Sequence, residues 1–323
     1  MKIAIIYTGE IRTLYKVFPY FKQNCILSDD YHVFGIIQDN GDCNCYQFLK
    51  NNLEDNLKSY ESFNNMDSTF YHLRERLINN MDLNNNTIKY LRNSGSIIEY
   101  YQMFLAYQNI GNYEANNNFT YDYIIRIRCD CVITKPINFD WIKYTKDDIF
   151  ESLNNIKNFY EKDTIIDKDI ISIFMNSLIN KNNYFIKDNI ERTKLCVSNS
   201  FASLFNTEYT ETFIDNFYKY FKKGKYMISL RKNILYLLKR KYFTRIFNLG
   251  ISYGMVNRYL SNEYWWNAES QLQIKCLENN IDIYDNFTFL EDCSLYLYNK
   301  NNYFDENNNL IINNNVLFFL MRN

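Results

Sequence analysis

The chain has 323 residues, 47% hydrophobic and 23% charged, with a formal net charge of -1. This predicts a substantial packed core, in one large domain or two lobes, and argues against a protein that as a whole wraps a polyanion. With only 2 His and 8 Gly, Ser-His-Asp triads and H-E-x-x-H sites have almost no raw material, and neither G-x-G-x-x-G nor G-K-[ST] occurs, so acid–base chemistry falls to Asp, Glu, Tyr or Cys.

The first predicted element is a strand, "KIAIIY" (Lys2–Tyr7), too short an apolar run for a signal peptide. "TGEIRT" follows, then a helix in "LYKVFPYFKQNCIL" with an interruption expected near Pro19. A second strand, His32–Gln38, closes at "DNGD". A polar, helical region comes next, then a helix in "SGSIIEYYQMFLAYQNI", whose apolar and aromatic residues recur at helical spacing. "YDYIIRIRCDCVI" (Tyr121–Ile133) is a third strand. Strand–helix–strand order with apolar strands predicts a parallel sheet with crossover helices.

Beyond it, "DDIFES" (Asp147–Ser152) reads as a strand and the remainder as mostly helical. "TEYTETFIDNFYKYFKKG" ends at Gly224, which suits a helix C-terminus. "NAESQLQIKCLENN" starts with Asn267 as N-cap. Short strands are expected at Ile281–Tyr284, at Leu295–Tyr298 and in "VLFFLMRN". The division expected is an α/β lobe over 1–150 and an α-rich lobe over 151–323, packed as one unit. The spacings Cys43/Cys45 and Cys129/Cys131 are shorter than usual zinc spacing, so reduced thiols of a cytosolic protein are expected.

Alternation along the third strand sets Ile125, Ile127, Cys129 and Cys131 on one face and Arg126, Arg128 and Asp130 on the other. Buried charge needs a partner or a ligand. Ligands of open α/β sheets bind beyond the carboxyl ends of the strands, and three polar groups fall there. These are Thr8-Gly9-Glu10-Ile11-Arg12-Thr13, Gln38-Asp39-Asn40 and Arg128-Cys129-Asp130. Gly9 allows close backbone approach, and Arg12 sits near a helix start, which favours anions. Together they describe a pocket with cations for phosphate and a carboxylate, Asp130, for Mg2+ or Mn2+. The alternative is an internal Arg128–Asp130 ion pair that fastens the sheet.

Residues 216–262 contain no Asp or Glu but many Lys and Arg, densest over 219–245. That segment reads either as a peripheral contact with an anionic membrane, a lipid-diphosphate or an acidic glycan, or as a solvated helix face. The near-neutral total charge argues against nucleic acid.

"IIYTGEIRT", "IIEYYQMFLAYQ", "YDYIIRIRCDCVI", "VSNSFASLFNTEYTETF" and "WWNAESQLQIKCLENNI" occur in this order over most of the chain. The set resembles a group of viral and bacterial glycosyltransferase-like proteins. The resemblance implies a GT-A fold: a mostly parallel, mixed sheet flanked by helices, joined to an α-rich acceptor region. It implies a nucleoside-diphosphate sugar bordered by Thr8, Gly9, Arg12, Thr13, Arg126 and Arg128. It also implies a divalent metal, Mn2+ or Mg2+, on Asp130, although Cys129-Asp130-Cys131 stands where D-x-D is usual and Ser198-Asn199 where an acid is common. Glu269 matches the acid of a W-x-x-E segment and is the candidate base, while its place at a helix start also suits the macrodipole. Trp265 and Trp266 suit either a sugar ring or the core. The expected activity is sugar transfer to a glycan, protein or lipid, in the cytoplasm (the host's, for a viral protein) or at a membrane surface. The alternative is a non-catalytic nucleotide-sugar or glycan-binding protein on the same scaffold.

Overall fold

In the computed structural model, residues 1–26, 28, 30–42, 44–64, 68–79, 83–93, 95–134, 136, 140–151, 207–231, 235–247, 268–285, 305 and 318–320 are described. The segments holding Ser198, Asn199, Trp265, Trp266 and Leu295–Tyr298 lie outside them.

β1 (Ile3–Glu10), β2 (Tyr31–Gln38), β3 (Leu57–Ser62) and β4 (Tyr123–Arg128) form a parallel set. β1 and β2 are almost continuously buried, as apolar strands covered on both faces must be. β7 (Leu235–Lys239) pairs antiparallel with β4, and β6 (Tyr226–Arg231) antiparallel with β7. With β8 (Asp282–Asp285) the sheet has seven strands, in the order β3-β2-β1-β4-β7-β6-β8. β5 (Cys131–Ile133) forms a separate two-stranded sheet with β9 (Phe318–Leu320). The mostly parallel, mixed α/β sheet is the one expected.

Helices cover both faces. α1 (Leu14–Cys25) lies on the face of Tyr7, whose ring stacks on Phe21 at 4.2 Å. α2 (Asn44–Leu53) joins it there, with Phe48 edge-on to Phe18. α3 (Ser68–Asn79) and α4 (Asn85–Asn93) share a smaller apolar cluster with α5 (Ser96–Asn117). α5 packs on the other sheet face with α7 (Arg240–Phe247) and α8 (Ala268–Glu278), against Ala4, Ile6, Phe34, Ile36 and Ile124. The 17-residue helix α6 (Thr207–Lys223) ends at Gly224, which takes φ 60 and donates to Tyr220 O and Phe221 O, the left-handed stop expected there.

Several expectations are corrected. Pro19 lies inside α1 without breaking it. Its side of the helix faces solvent, as Tyr15 does, so the carbonyl left without a donor can turn to water. "DDIFES" is helical over 146–151 rather than a strand. Thr145 and Asp148 exchange bonds there: Thr145 N–H donates to Asp148 Oδ2 at 2.7 Å and Asp148 N–H to Thr145 Oγ1 at 3.3 Å. This reciprocal cap starts a helix.

The chain divides into two compact units, but not at residue 150. One holds 1–136, 226–283 and 289–323; the other holds 137–225 and 284–288. The basic segment 219–245 is therefore no single helix face: it spans the end of α6, two strands and α7. Arg240 within it is buried and paired with Glu114. Among the described residues, no helix is long and apolar enough to cross a membrane.

Candidate anion-binding cleft

β1, β2 and β4 run in one direction, so their carboxyl ends share an edge of the sheet. Register aligns them there: Glu10 pairs with Gln38, and Thr8 with both Ile36 and Arg128. A cleft of about 520 Å3 opens at this edge. Gly9, Glu10, Arg12, Gln38, Arg128 and Asp130 line it from the strand ends, with Arg126 below. The amino end of α5 supplies Gly95, Ser96, Ile98, Glu99 and Gln102.

Three guanidinium groups meet three carboxylates here. Arg12 pairs with Glu10 near the surface. Arg126 Nη2 lies 2.7 Å from Glu99 Oε1. Arg128 grips Asp130 side-on, with Nε donating to Oδ1 at 2.9 Å and Nη2 to Oδ2 at 2.6 Å. Burial opposes the charge on Arg128, but Asp130 and then Glu99 more than offset this and raise its pKa above the ordinary value. Arg126 is 2% exposed. Its Nε donates to Thr8 Oγ1 at 3.1 Å, while its Nη1 is buried without a hydrogen-bond partner among the described residues. Leaving a buried charged donor unmet costs upward of about 1–3 kcal/mol.

Neighbouring groups hold the frame. Gln102 Nε2 donates to Gly9 O at 3.2 Å and Ile36 O at 3.3 Å, tying α5 to the ends of β1 and β2. Cys129 N–H donates to Thr8 O at 2.7 Å and its thiol to Glu10 O at 3.1 Å. Burial pushes the Cys129 thiol up, with Asp130 adding to it. The Tyr236 hydroxyl, opposite Arg126 in the β4–β7 register, is also buried without a partner among the described residues. Burial pushes its pKa up, against the pull of Arg126.

Of the residues picked out from sequence, Gly9, Arg12, Arg126, Arg128 and Asp130 come together at the cleft. Thr8 is buried behind it, where it receives Arg126. Thr13 is buried at the start of α1 and lies outside the lining. Glu269 follows Ala268, which lines the cleft, in the first turn of α8. Asp39 serves a turn rather than a ligand: it accepts from Gly41 N–H, the Tyr60 hydroxyl and the Ser62 hydroxyl at 3.1, 2.7 and 2.7 Å. Glu99 and Gln102 are the residues that sequence reasoning missed. Their spacing of i and i+3 puts both on one helix face, a signal present in "EYYQ".

A divalent metal on Asp130 does not fit these residues. Both carboxylate oxygens are already held by the Arg128 fork, so a metal ion would sit against a guanidinium of like charge. Cys129 and Cys131, in place of flanking acids, are buried thiols. Among the described residues, no group of three or more His, Cys, Asp or Glu is placed to hold a metal.

By sequence, the chain matches no family model and no curated protein. Among solved structures it is similar to the mannosyltransferase Ktr4p from S. cerevisiae in complex with GDP, at 11% identity, over 89% of this chain and 68% of that one, with a TM-score of 0.31. A likeness of this size carries no weight for fold or chemistry.

Proposed function

We propose that the protein is a glycosyltransferase that takes a nucleoside-diphosphate sugar as donor and a glycan, protein or lipid hydroxyl as acceptor. The observation that carries this reading is the convergence of Arg12, Arg126, Arg128 and the amino end of α5 on the carboxyl ends of three parallel strands. Helix amino ends and guanidinium groups both favour phosphate oxygens. The volume of about 520 Å3 is of the size that small-molecule ligands occupy.

In the reaction proposed, the acceptor oxygen attacks the anomeric carbon as its bond to the diphosphate oxygen breaks. The hydroxyl proton passes to Glu269, and the departing nucleoside diphosphate gains charge that the arginines stabilise. The test is a panel of nucleoside-diphosphate sugars, scored by release of free nucleoside diphosphate and by binding. Turnover with one donor that is lost in Glu269→Gln supports the reading. No binding and no turnover across the panel overturns it. A non-catalytic nucleotide-sugar-binding protein is the second reading, favoured by the engagement of Asp130 with Arg128 and recognised by binding without turnover.

A further inference from the structure

Resting on that functional reading, we infer that the cleft holds the donor diphosphate without a divalent cation, through the spare edge of Arg128 backed by the charge of the buried Arg126, and that Asp130 is a positioning residue for Arg128. Asp130 takes Nε and Nη2 of Arg128 in a side-on fork. The Nη1 edge is left without a partner among the described residues, on a side chain that is 21% exposed and lines the cleft. Arg126 repeats the arrangement one strand step earlier. Thr8 and Glu99 take Nε and Nη2, and Nη1, which is buried, has no partner among the described residues.

Residues two apart on a strand share a face, with side chains about 7 Å apart. Arg128 presents its spare edge to the cleft, and Arg126, buried beneath it, adds a second positive charge to the same side. The 22-residue helix α5 adds its positive end, and Gly95 at its cap has no side chain to satisfy the first N–H groups. Glu99 and Asp130 offset the cost of burying Arg126 and Arg128, and Glu10 pairs with Arg12 near the surface. An arriving diphosphate needs only the spare Arg128 edge and does not have to break the pairs. A dication near Asp130 would have to compete with Arg128 for the same carboxylate.

The test is calorimetric titration of the full chain with ADP, GDP, UDP and inorganic pyrophosphate, in EDTA and again with Mn2+. The expected result is binding of at least one nucleoside diphosphate in EDTA, within about twofold of the affinity in Mn2+. Affinity that rises tenfold or more when Mn2+ replaces EDTA overturns the inference and leaves the glycosyltransferase reading standing. No binding in either arm overturns the glycosyltransferase reading as well. Asp130→Asn should weaken binding in EDTA several-fold by releasing Arg128. The double variant Arg128→Gln with Asp130→Asn, which removes both charges together and so guards against misfolding, should weaken it tenfold or more. Unchanged binding in EDTA by that folded double variant also overturns the inference.

Discussion

Gly9 and Cys129 meet at the seam of β1 and β4 so closely that a β-carbon added to Gly9 would lie 2.8 Å from Cys129 Sγ. Gly9 also takes φ +136, a conformation that side chains strain. Gly9→Ala should therefore cost about 2–5 kcal/mol, from backbone strain plus overpacking. In a Cys129→Ala background the overpacking share should vanish while the strain remains. Urea unfolding of the four proteins measures this. Equal penalties in both backgrounds would show that the thiol is not the obstacle.

Glu114 and Arg240 form a buried pair through Nε at 2.8 Å and Nη2 at 2.7 Å, and Glu114 Oε1 also accepts Tyr121 N–H at 3.0 Å. The pair ties α5 to the start of α7 and to the approach of β4. Glu114→Gln should lower stability by about 3 kcal/mol, because a buried guanidinium loses its counter-charge. Arg240→Lys should fall close to the same value, since an ammonium cannot fill the fork. Thermal unfolding of both variants checks this.

Acid should weaken the fold through His32. Burial, then Lys58 and Lys2, push its pKa down from 6.5 to about 4, against Asp30. The Tyr121 hydroxyl lies 2.6 Å from its Nδ1. With the folded pKa depressed, the unfolded chain binds the proton first. The stabilising contribution is whole above about 6.5 and is lost as pH falls toward about 4. Because the ring is only half-buried, the loss is on the order of 1 kcal/mol. His32→Gln should flatten this part of the pH profile, and a slope identical to the parent's would remove His32 from the account.

Under the glycosyltransferase reading, Glu269→Gln should reduce turnover by about 100-fold to 10,000-fold. Nucleoside-diphosphate affinity should stay within about twofold, because the arginines hold the donor. A parallel loss of affinity and turnover would instead assign Glu269 to the start of α8 or to donor binding.

β1, β2, β4 and α5 were legible in the sequence because each carries a long apolar run or a clear helical period. β3 was not: "LKSYES" is a polar, partly exposed strand at the sheet edge, where alternation weakens. β6 and β7 were hidden because each is short and ends on a basic residue, Arg231 and Lys239, so that the stretch reads as one basic, mostly helical segment. Arg240 is buried with Glu114, far away in the chain, as its counter-charge. At the cleft, strand alternation was enough to set Arg126, Arg128 and Asp130 on one face. Their partners were less accessible. Glu99 comes from a helix more than twenty residues earlier, and its choice of Arg126 depends on the angle at which α5 crosses the sheet. Thr8 reads as part of a loop in the sequence, but β1 runs on to Glu10, which keeps it inside the sheet.

The strand order also sets a schedule. β1 lies between β2 and β4, pairing Ile3 with Tyr31 on one side and Tyr123 on the other, while Tyr123 in turn pairs with Lys239. During synthesis the second edge of β1 stays open until Tyr123 emerges, and the far edge of β4 stays open until β7 does. These edges are apolar and unpaired in the meantime, a template for wrong partners. Contacts so distant in sequence also slow folding. The seam at Tyr123 and Lys239 is thus the step at which a nascent chain gives up its exposed β4 edge.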